Sequence, residues 1–124
     1  MALVTLKKRA EFLRLRGGAR CATPAFVLET KPQSEDVTHP SCPRFGFTVT
    51  KALGGAVVRN RIRRRLKAAV GSVALENARA GQDYVLIARA AALVRSFPDL
   101  KKDLERAFQR VHQPAEPGRP ARHR

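Results

Sequence analysis

The sequence has few acidic residues and no tryptophan. Ten Asp and Glu stand against 25 Lys and Arg, which gives a formal net charge of +15. Such an imbalance destabilises a compact chain on its own and favours polyanionic partners, nucleic acid first and anionic membrane second. No apolar run approaches the roughly 20 residues of a membrane span, and the first charges follow a short apolar stretch, the reverse of a secretory signal. We therefore expect a cytoplasmic protein.

Cysteine is also scarce. Cys21 and Cys42 are too few for a disulfide scaffold, so reduced thiols are expected. His39 precedes Cys42 by three residues, but a zinc site needs better spacing and usually a fourth ligand. We expect no protein-bound metal.

The acids are scattered along the chain, and none occurs between residues 37 and 75. Metal-dependent nucleases cluster their carboxylates, which this chain does not do. His39 lies in a Pro-flanked loop, whereas His112 and His123 fall in a Pro-rich C-terminal stretch, so none is well held for acid–base work. The sequence therefore predicts no catalytic residue on the protein itself.

The length of 124 residues suits one domain with a single modest core. Hydrophobic periodicity predicts three helices, three strands and a short extra strand. Helices are expected at residues 5–15, 56–73 and 96–111, strands at 25–30, 44–51 and 83–89, and the extra strand near 20–23. This pattern predicts the α+β class, a two-layer α/β sandwich with three helices on a small mixed sheet, in the order α-β-β-(β)-α-β-α. Residues 1–111 would form one domain, and residues 112–124 a disordered, basic, Pro-rich tail.

Three details sharpen this prediction. In the first helix, Leu6, Ala10 and Leu13 recur at helical spacing, with Phe12 beside them. Gly46, inside a strand, marks either a bulge or a close approach by another chain, with the bulge favoured. In the last helix, Ser96 and Asp99 have the spacing of a capping box. One apolar stripe follows there, formed by Leu100, Leu104, Ala107, Phe108 and Val111.

The stretch "KALGGAVVRNRIRRRLKAAV", residues 51–70, holds seven Lys and Arg and no acid. Because successive helical residues advance by about 100°, one narrow side of this helix is apolar. That side comprises Val58, Ile62, Leu66, Ala69 and Val73. Arg59 and Arg65 flank it on opposite shoulders, and polar side chains cover the remaining circumference. These are Asn60, Arg61, Arg63, Arg64 and Lys67.

Charged helices usually present a solvated face, but such faces mix both signs, whereas here the sign is uniform. The apolar side is narrow and without aromatic residues, which disfavours membrane binding. Nucleic acid remains, since Arg binds phosphates bidentately and stacks on bases. Asn60 could read a base edge or make a hydrogen bond within the helix, and both roles stay open.

The stretch "GFTVTKALGGAVVRNRIRRRLKAAV" closely resembles the signature of the bacterial ribonuclease P protein subunit. The family pattern is a Gly-containing strand, a Lys, a Gly, Ala-Val and Arg-Asn-Arg, followed by further Arg and Lys. The matching residues are Gly46, Lys51, Gly54, Ala56, Val57, Arg59, Asn60, Arg61, Arg63, Arg64 and Lys67. "LKKRAEF", "FVLE" and "DYVLIAR" also resemble segments of that family.

The resemblance implies an α–β sandwich with a left-handed crossover through the signature helix, although such connections are right-handed in about 98% of proteins. It implies a protein that assists a catalytic RNA subunit in removing the 5′ leader from precursor tRNA, with Mg²⁺ bound mainly through the RNA. The RNA subunit would be bound by Lys51, Arg59, Asn60, Arg61, Arg63, Arg64, Arg65 and Lys67. The leader would lie in a cleft between the first helix and the sheet, formed by Lys7, Lys8, Arg9, Phe12 and Phe26. The protein is expected to be monomeric outside the holoenzyme.

Some positions depart from the family pattern. Gly55 replaces a common Asn, Glu29 replaces an aromatic residue after the first strand, and Val70 replaces a common Phe. These changes leave the RNA-subunit face intact and reduce the leader-stacking surface. Whether Phe12 and Phe26 lie in a cleft or in the core is open from sequence.

Two other functions are compatible with the composition. One is a structural RNA-binding protein of the ribosomal type with no part in cleavage. Composition does not distinguish it from the preferred function, and only the signature and the surrounding match disfavour it. The other is a DNA-binding protein that reads the major groove, which would need a dimer or a second recognition element.

Overall fold

The computed structural model describes residues 4–6, 9–33 and 42–112, with Leu75 described by its backbone alone. These residues form a five-stranded sheet with three α-helices. In chain order the elements are β1 (Val4–Thr5), α1 (Arg9–Arg14), β2 (Ala19–Ala22), β3 (Phe26–Pro32), β4 (Arg44–Thr48), a 3-10 helix (Lys51–Leu53), α2 (Ala56–Asn77), β5 (Gln82–Ala88), a second 3-10 helix (Ala90–Leu93) and α3 (Phe97–His112).

The sheet is mixed, with the strand order β1-β4-β5-β3-β2. Strand β4 runs parallel to both β1 and β5, whereas β3 runs antiparallel to β5 and β2. The predicted α+β class, with three helices on a small mixed sheet, is confirmed. Helix α2 joins the parallel neighbours β4 and β5, and the left hand of this crossover stays a prediction.

Several predicted helices and strands are confirmed, although their first or last residues differ from the prediction. The short strand expected near residues 20–23 is β2, and α2 begins at Ala56 as expected but continues to Asn77, about one turn further. Ser96 starts α3, because its Oγ accepts a hydrogen bond from the Asp99 N–H at 3.2 Å. The predicted apolar stripe of α3 is buried along its whole length.

The N-terminal helix differs from its prediction. Thr5 belongs to β1, and α1 spans six residues only. Ala10 and Leu13 are exposed, so the predicted stripe is wrong. The segment is instead anchored by Leu6 before the helix and Leu15 after it, both buried, and by half-buried Phe12. A helix of under two turns is too short for periodicity to identify its buried side.

Two boundaries also move. His112 lies in α3, so the predicted tail loses its first residue; residues 113–124 lie outside the described residues. Lys31 and Pro32 extend β3 beyond the strand expected at residues 25–30, and residues 34–41 are likewise not described. Pairing with Asp83 and Gln82 of β5 extends the strand despite the proline.

The sheet is covered by helices on both faces. Helices α2 and α3 enclose the main core against one face of the sheet. The strand residues of this core include Phe26, Leu28, Phe45, Tyr84 and Leu86. On the other face, Val85 packs with Leu6 and Leu15, and Phe12 and Ile87 border this smaller cluster. The two-layer description therefore fits α2 and α3, and α1 adds a small third layer. Alternate side chains of β5 point to opposite faces, so one strand supplies both clusters.

Gly46 permits the close approach of α1. A Cβ at this position would collide with the ring of Phe12 and come within 3.1 Å of Leu6. The pairing of β4 with β5 runs without interruption from Arg44 to Thr48, so the favoured bulge is wrong. The glycine leaves space for an aromatic ring from the opposite layer.

A buried carboxylate ties α1 to the sheet. Asp83 of β5 is fully buried and accepts hydrogen bonds from Arg14 Nη2 at 2.7 Å and from Arg44 Nε at 2.8 Å and Nη2 at 2.7 Å. Arg44 also binds Glu11 at 3.0 Å, and Arg14 donates to the Pro32 carbonyl at 2.8 Å. The network joins α1, β3, β4 and β5.

We predict that Asp83→Ala lowers the free energy of unfolding by about 3–5 kcal/mol, because it leaves two guanidinium groups without their buried partner. Urea denaturation of the full chain measures this. Glu105→Gln, at an exposed acid of α3, is the control and should change stability by less than about 0.5 kcal/mol. Equal effects of the two substitutions would show that the network contributes nothing specific.

His112 closes the main core at the end of α3. Its Nε2 lies 2.6 Å from the Tyr84 hydroxyl, which accepts a hydrogen bond from the Arg79 N–H at 2.8 Å. Burial, and then the nearby charge of Arg79, lower the pKa of His112 below its ordinary value of 6.5. The folded chain therefore favours the neutral imidazole, whose Nε2 can accept a hydrogen bond from the Tyr84 hydroxyl in the tautomer that carries its proton on Nδ1.

Because the folded pKa lies below the unfolded one, the unfolded chain takes up the His112 proton first as the pH falls. We predict that the free energy of unfolding decreases from about pH 7 downwards until the folded pKa is passed. His112→Gln should remove this part of the pH dependence, measured by urea denaturation at a series of pH values. An unchanged pH profile in the variant would contradict the assignment.

Candidate nucleic-acid interface

The basic helix α2 begins after two glycines. Gly54 has φ of 141°, a conformation that side chains rarely adopt, and Gly55 is the extended N-cap residue, with no side-chain cap. Helix α2 thus begins at Ala56, as predicted, with glycine as its N-cap residue. The first turn contains no acid, so the positive end of the helix dipole adds to the charge of the side chains.

Packing holds α2 to the protein through its apolar side. Ile62, Leu66, Ala69 and Val73 are buried, and Val58 packs at the edge of the core. The predicted side is confirmed, and it is wider than predicted. Val70 and Ala74 are also buried, because α3 and the second 3-10 helix pack against α2 beside the sheet.

The cations of α2 have no carboxylate partner among the described residues. The ion pairs there are Arg14–Asp83, Arg20–Glu29, Arg44–Glu11, Arg44–Asp83 and Arg95–Asp103. None of them includes Lys51 or a residue of α2. The acids of the described chain that form ion pairs thus stabilise other elements, and none of these ion pairs neutralises a cation of α2.

The cations of α2 occupy three different positions. Arg61 and Arg64 are exposed and point away from the protein, as does Asn60. Arg59 and Arg63 are half-buried on one shoulder, where Arg59 Nε donates to the Gly54 carbonyl at 3.2 Å and Arg63 Nη1 to Asn60 Oδ1 at 3.3 Å. The hydrogen bond that Asn60 could make within the helix is thus present, through its oxygen.

Arg65, on the other shoulder, is bound to the protein itself. Its Nε donates to the Ala92 carbonyl at 2.9 Å, and its Nη2 donates to the Arg95 carbonyl. Its guanidinium group thus fastens α2 to the second 3-10 helix and to the residues just after it, and the expected contact of Arg65 with the RNA subunit stays a prediction. The sequence shows only another Arg in the basic run, since the acceptors are backbone groups of a distant segment.

The α1 side of the sheet contains only some of the residues expected to bind the leader. Arg9 is exposed and Phe12 is half-buried above Gly46, whereas Lys7 and Lys8 lie outside the described residues. Phe26 is 0% exposed in the main core, on the face covered by α2 and α3. The expectation that Phe26 stacks on the leader is therefore wrong. All residues from Phe26 to Thr30 are buried, so β3 shows no alternation that could assign its faces.

Phe47 is a surface residue that the sequence does not reveal. Its alternation with Phe45 predicts a core position, and its ring does border the main core. Yet it is only half-buried, and Lys67 Nζ lies 5.9 Å from its ring centroid. The cation–π contact depends on how α2 crosses β4.

No metal site or membrane span is evident in the described part of the chain. Across residues 4–6, 9–33 and 42–112, no group of three or more His, Cys, Asp or Glu is placed to hold a metal ion. None of the described helices is both long and apolar enough to cross a bilayer.

Comparison with known proteins places this arrangement in a family. The family described as Ribonuclease P matches residues 2–112. The chain is 43% identical over 108 residues to the ribonuclease P protein component of Brucella suis, covering 84% of this chain and 77% of that one. It is 45% identical over 107 residues to the same component from Paramagnetospirillum magneticum, covering 86% and 80%.

Solved structures agree. The RNase P protein of Staphylococcus aureus superposes with a TM-score of 0.67 at 29% identity, covering 87% of this chain and 94% of that one. The RNase P protein from Thermotoga maritima gives 0.65 at 22% identity, covering 82% and 96%, which speaks for the fold alone. Since the family match spans nearly all described residues and includes α2, the chain belongs to the ribonuclease P protein family, the protein subunits of the endoribonuclease ribonuclease P.

Proposed function

We propose that the exposed side of α2 is the surface by which this ribonuclease P protein subunit holds the catalytic RNA during removal of the 5′ leader from precursor tRNA. The observation that carries the proposal is the row of cations on α2 without a carboxylate partner in the described chain. Arg61 and Arg64 make the outermost contacts, and Lys51, Arg59, Asn60, Arg63 and Lys67 extend the surface. Phosphates of a folded RNA supply the missing negative charge.

The protein contributes charge rather than chemistry. We propose that the RNA subunit carries the reaction and binds Mg²⁺ mainly through its own phosphates. The described side chains support this division of labour, because the carboxylates that form ion pairs are engaged with Arg and none of these pairs includes a cation of α2. The positive face would offset repulsion between the RNA subunit and precursor tRNA.

We propose that the leader binds on the α1 side of the sheet. Exposed Arg9 supplies charge there, and the half-buried ring of Phe12 offers an aromatic edge above Gly46. This surface has less aromatic character than the family pattern implies. Phe26 is buried in the core, and Glu29, at a position where the family often has an aromatic residue, forms an ion pair with Arg20 at 3.5 Å. Leader binding would then depend more on phosphates than on stacking.

A second set of proposals concerns the free protein. We propose that it is a cytoplasmic monomer outside the holoenzyme. The net charge of +15 opposes association of two copies. The large apolar side chains exposed in the described chain, Val4, Leu13, Val57 and Val94, belong to four different segments. Sedimentation equilibrium measures the mass directly.

We predict that Arg61→Ala weakens binding to the RNA subunit by about tenfold, the loss of one charge-assisted hydrogen bond. The slope of log affinity against log salt should fall by about 1, because one phosphate contact is lost. Filter binding at several salt concentrations measures both, and thermal melting should show an unchanged fold.

Arg106→Ala, at an exposed Arg of α3, is the matched control and should leave affinity and slope nearly unchanged. A folded Arg61→Ala variant with wild-type affinity would contradict the assignment of α2. Equal losses in the two variants would indicate a response to net charge alone.

We predict that the purified protein does not cut precursor tRNA, whereas its addition to the cognate RNA subunit at low magnesium restores cleavage at the 5′ leader. Gel electrophoresis of labelled precursor measures both. Metal-dependent cleavage by RNA-free protein, abolished by an Asp or Glu substitution, would overturn the division of labour.

A further inference from the structure

The shoulder of α2 that faces β4 combines cations with an accessible aromatic ring. Arg59, Arg63 and Lys67 follow one another at four-residue spacing and therefore lie along one line of the helix. Lys67 Nζ lies 5.9 Å from the centroid of the Phe47 ring, which shows that the Lys67 end of this line faces β4. We call Arg59, Arg63, Lys67 and Phe47 the shoulder site.

Phe47 differs from the aromatic residues that form the core. Of the six Phe, Phe26, Phe45 and Phe108 are at most 1% exposed, and the other three are half-buried. Among these three, Phe12 lies on the α1 side and Phe97 begins α3, so Phe47 alone lies beside the cations of α2. Its ring makes no stacking contact with another ring of the described chain.

The position of Phe47 in the sheet keeps it accessible. Among the described residues, β1 pairs only with Arg44 and Phe45 of β4. Phe47 therefore stands beyond the paired part of β1, at the edge of the sheet and next to α2. A stretch of β4 that no described residue of β1 pairs with, a partly exposed ring and a line of cations meet at this point.

We propose that the shoulder site binds one unpaired RNA nucleotide, whose base stacks on Phe47 while the adjoining phosphates contact Arg59, Arg63 and Lys67. The proposal rests on the proposed function of α2 and adds a distinct site beside Arg61 and Arg64. Double-stranded RNA offers phosphates to any basic surface, but only an unpaired base exposes a face that can stack on a side chain. The aromatic ring thus argues for single-stranded RNA.

The flexible stem of Lys67 suits this role. In the free protein its ammonium group covers the ring in a cation–π contact, which is weak at exposed sites. A base that displaces Lys67 from the ring leaves its charge free to contact a neighbouring phosphate. Lys67 thus covers the Phe47 ring in the free protein, and a base can take its place on the ring.

The test uses the full-length chain and a single-stranded oligouridylate, with an RNA duplex of equal length as comparison. Phe47→Leu, which preserves the apolar contact with the core, should weaken binding of the oligouridylate by about tenfold, within the range for loss of one stacked base. Phe47→Tyr, which retains the ring, should bind as the wild type does. Duplex binding should be unchanged in both variants.

Phe97→Leu is the matched control, because Phe97 is also half-buried and carries Lys101 Nζ at 5.4 Å from its centroid, on a different helix. It should bind the oligouridylate normally. A folded Phe47→Leu variant with wild-type affinity, or an equal loss in Phe97→Leu, would overturn the proposal.

If Phe47→Leu does not fold, Phe47→Trp provides the decisive measurement, since the chain contains no other tryptophan. Stacking should quench its fluorescence on addition of oligouridylate, and an unquenched signal at saturation would overturn the proposal. Where Phe47→Leu folds, it is also tested in the reconstituted holoenzyme. Weaker binding confined to substrates that carry a leader would assign the nucleotide to the leader, and weaker binding of the protein to the RNA subunit would assign it to that subunit.

Failure of this proposal is distinguishable from failure of the proposed function. If Phe47→Leu binds RNA with wild-type affinity while Arg61→Ala binds more weakly, the shoulder site is ruled out and the proposed function of α2 is retained. If both variants bind RNA with wild-type affinity, the proposal that α2 binds the RNA subunit is contradicted as well.

Discussion

The distribution of ion pairs controls both the stability and the binding surface of this protein. Asp83 is fully buried and holds Arg14 and Arg44, and Asp103 and Glu29 hold Arg95 and Arg20 in the same way near the surface. Each of these pairs joins elements other than α2. Among the described residues, no ion pair includes a cation of α2, so the positive charge of this helix is left for a partner.

Helix α2 is therefore held in place almost entirely by packing. Its inner side fills the main core with Ile62, Leu66, Val70 and Val73. Arg65 fastens one shoulder to the carbonyl of Ala92 in the second 3-10 helix and to that of Arg95 just after it. Apolar burial is insensitive to salt and to the approach of phosphates, so the helix can stay in place while its cations exchange counterions for RNA. A helix fastened by carboxylates would have to lose those ion pairs on binding.

Periodicity was sufficient where elements are long or have one buried side. The apolar sides of α2 and α3, the Ser96 start of α3 and the short strand β2 follow from spacing and capping residues. It failed where an element is short, as in α1, or buried on both faces, as in β3. There the face of Phe26 depends on pairing with Ala88 of β5, a contact between segments more than sixty residues apart.

The sequence by itself determined the fold class, the family and the helix that carries the charge, because these depend on local patterns of residue type. Only the tertiary structure decided which side chains remain available on that helix. It assigned Arg65 to the Ala92 and Arg95 carbonyls, Phe26 to the core and Phe47 to the edge beside Lys67. The physical reason is that accessibility is set by the neighbours that packing brings together, and neighbouring segments in space are distant in the chain.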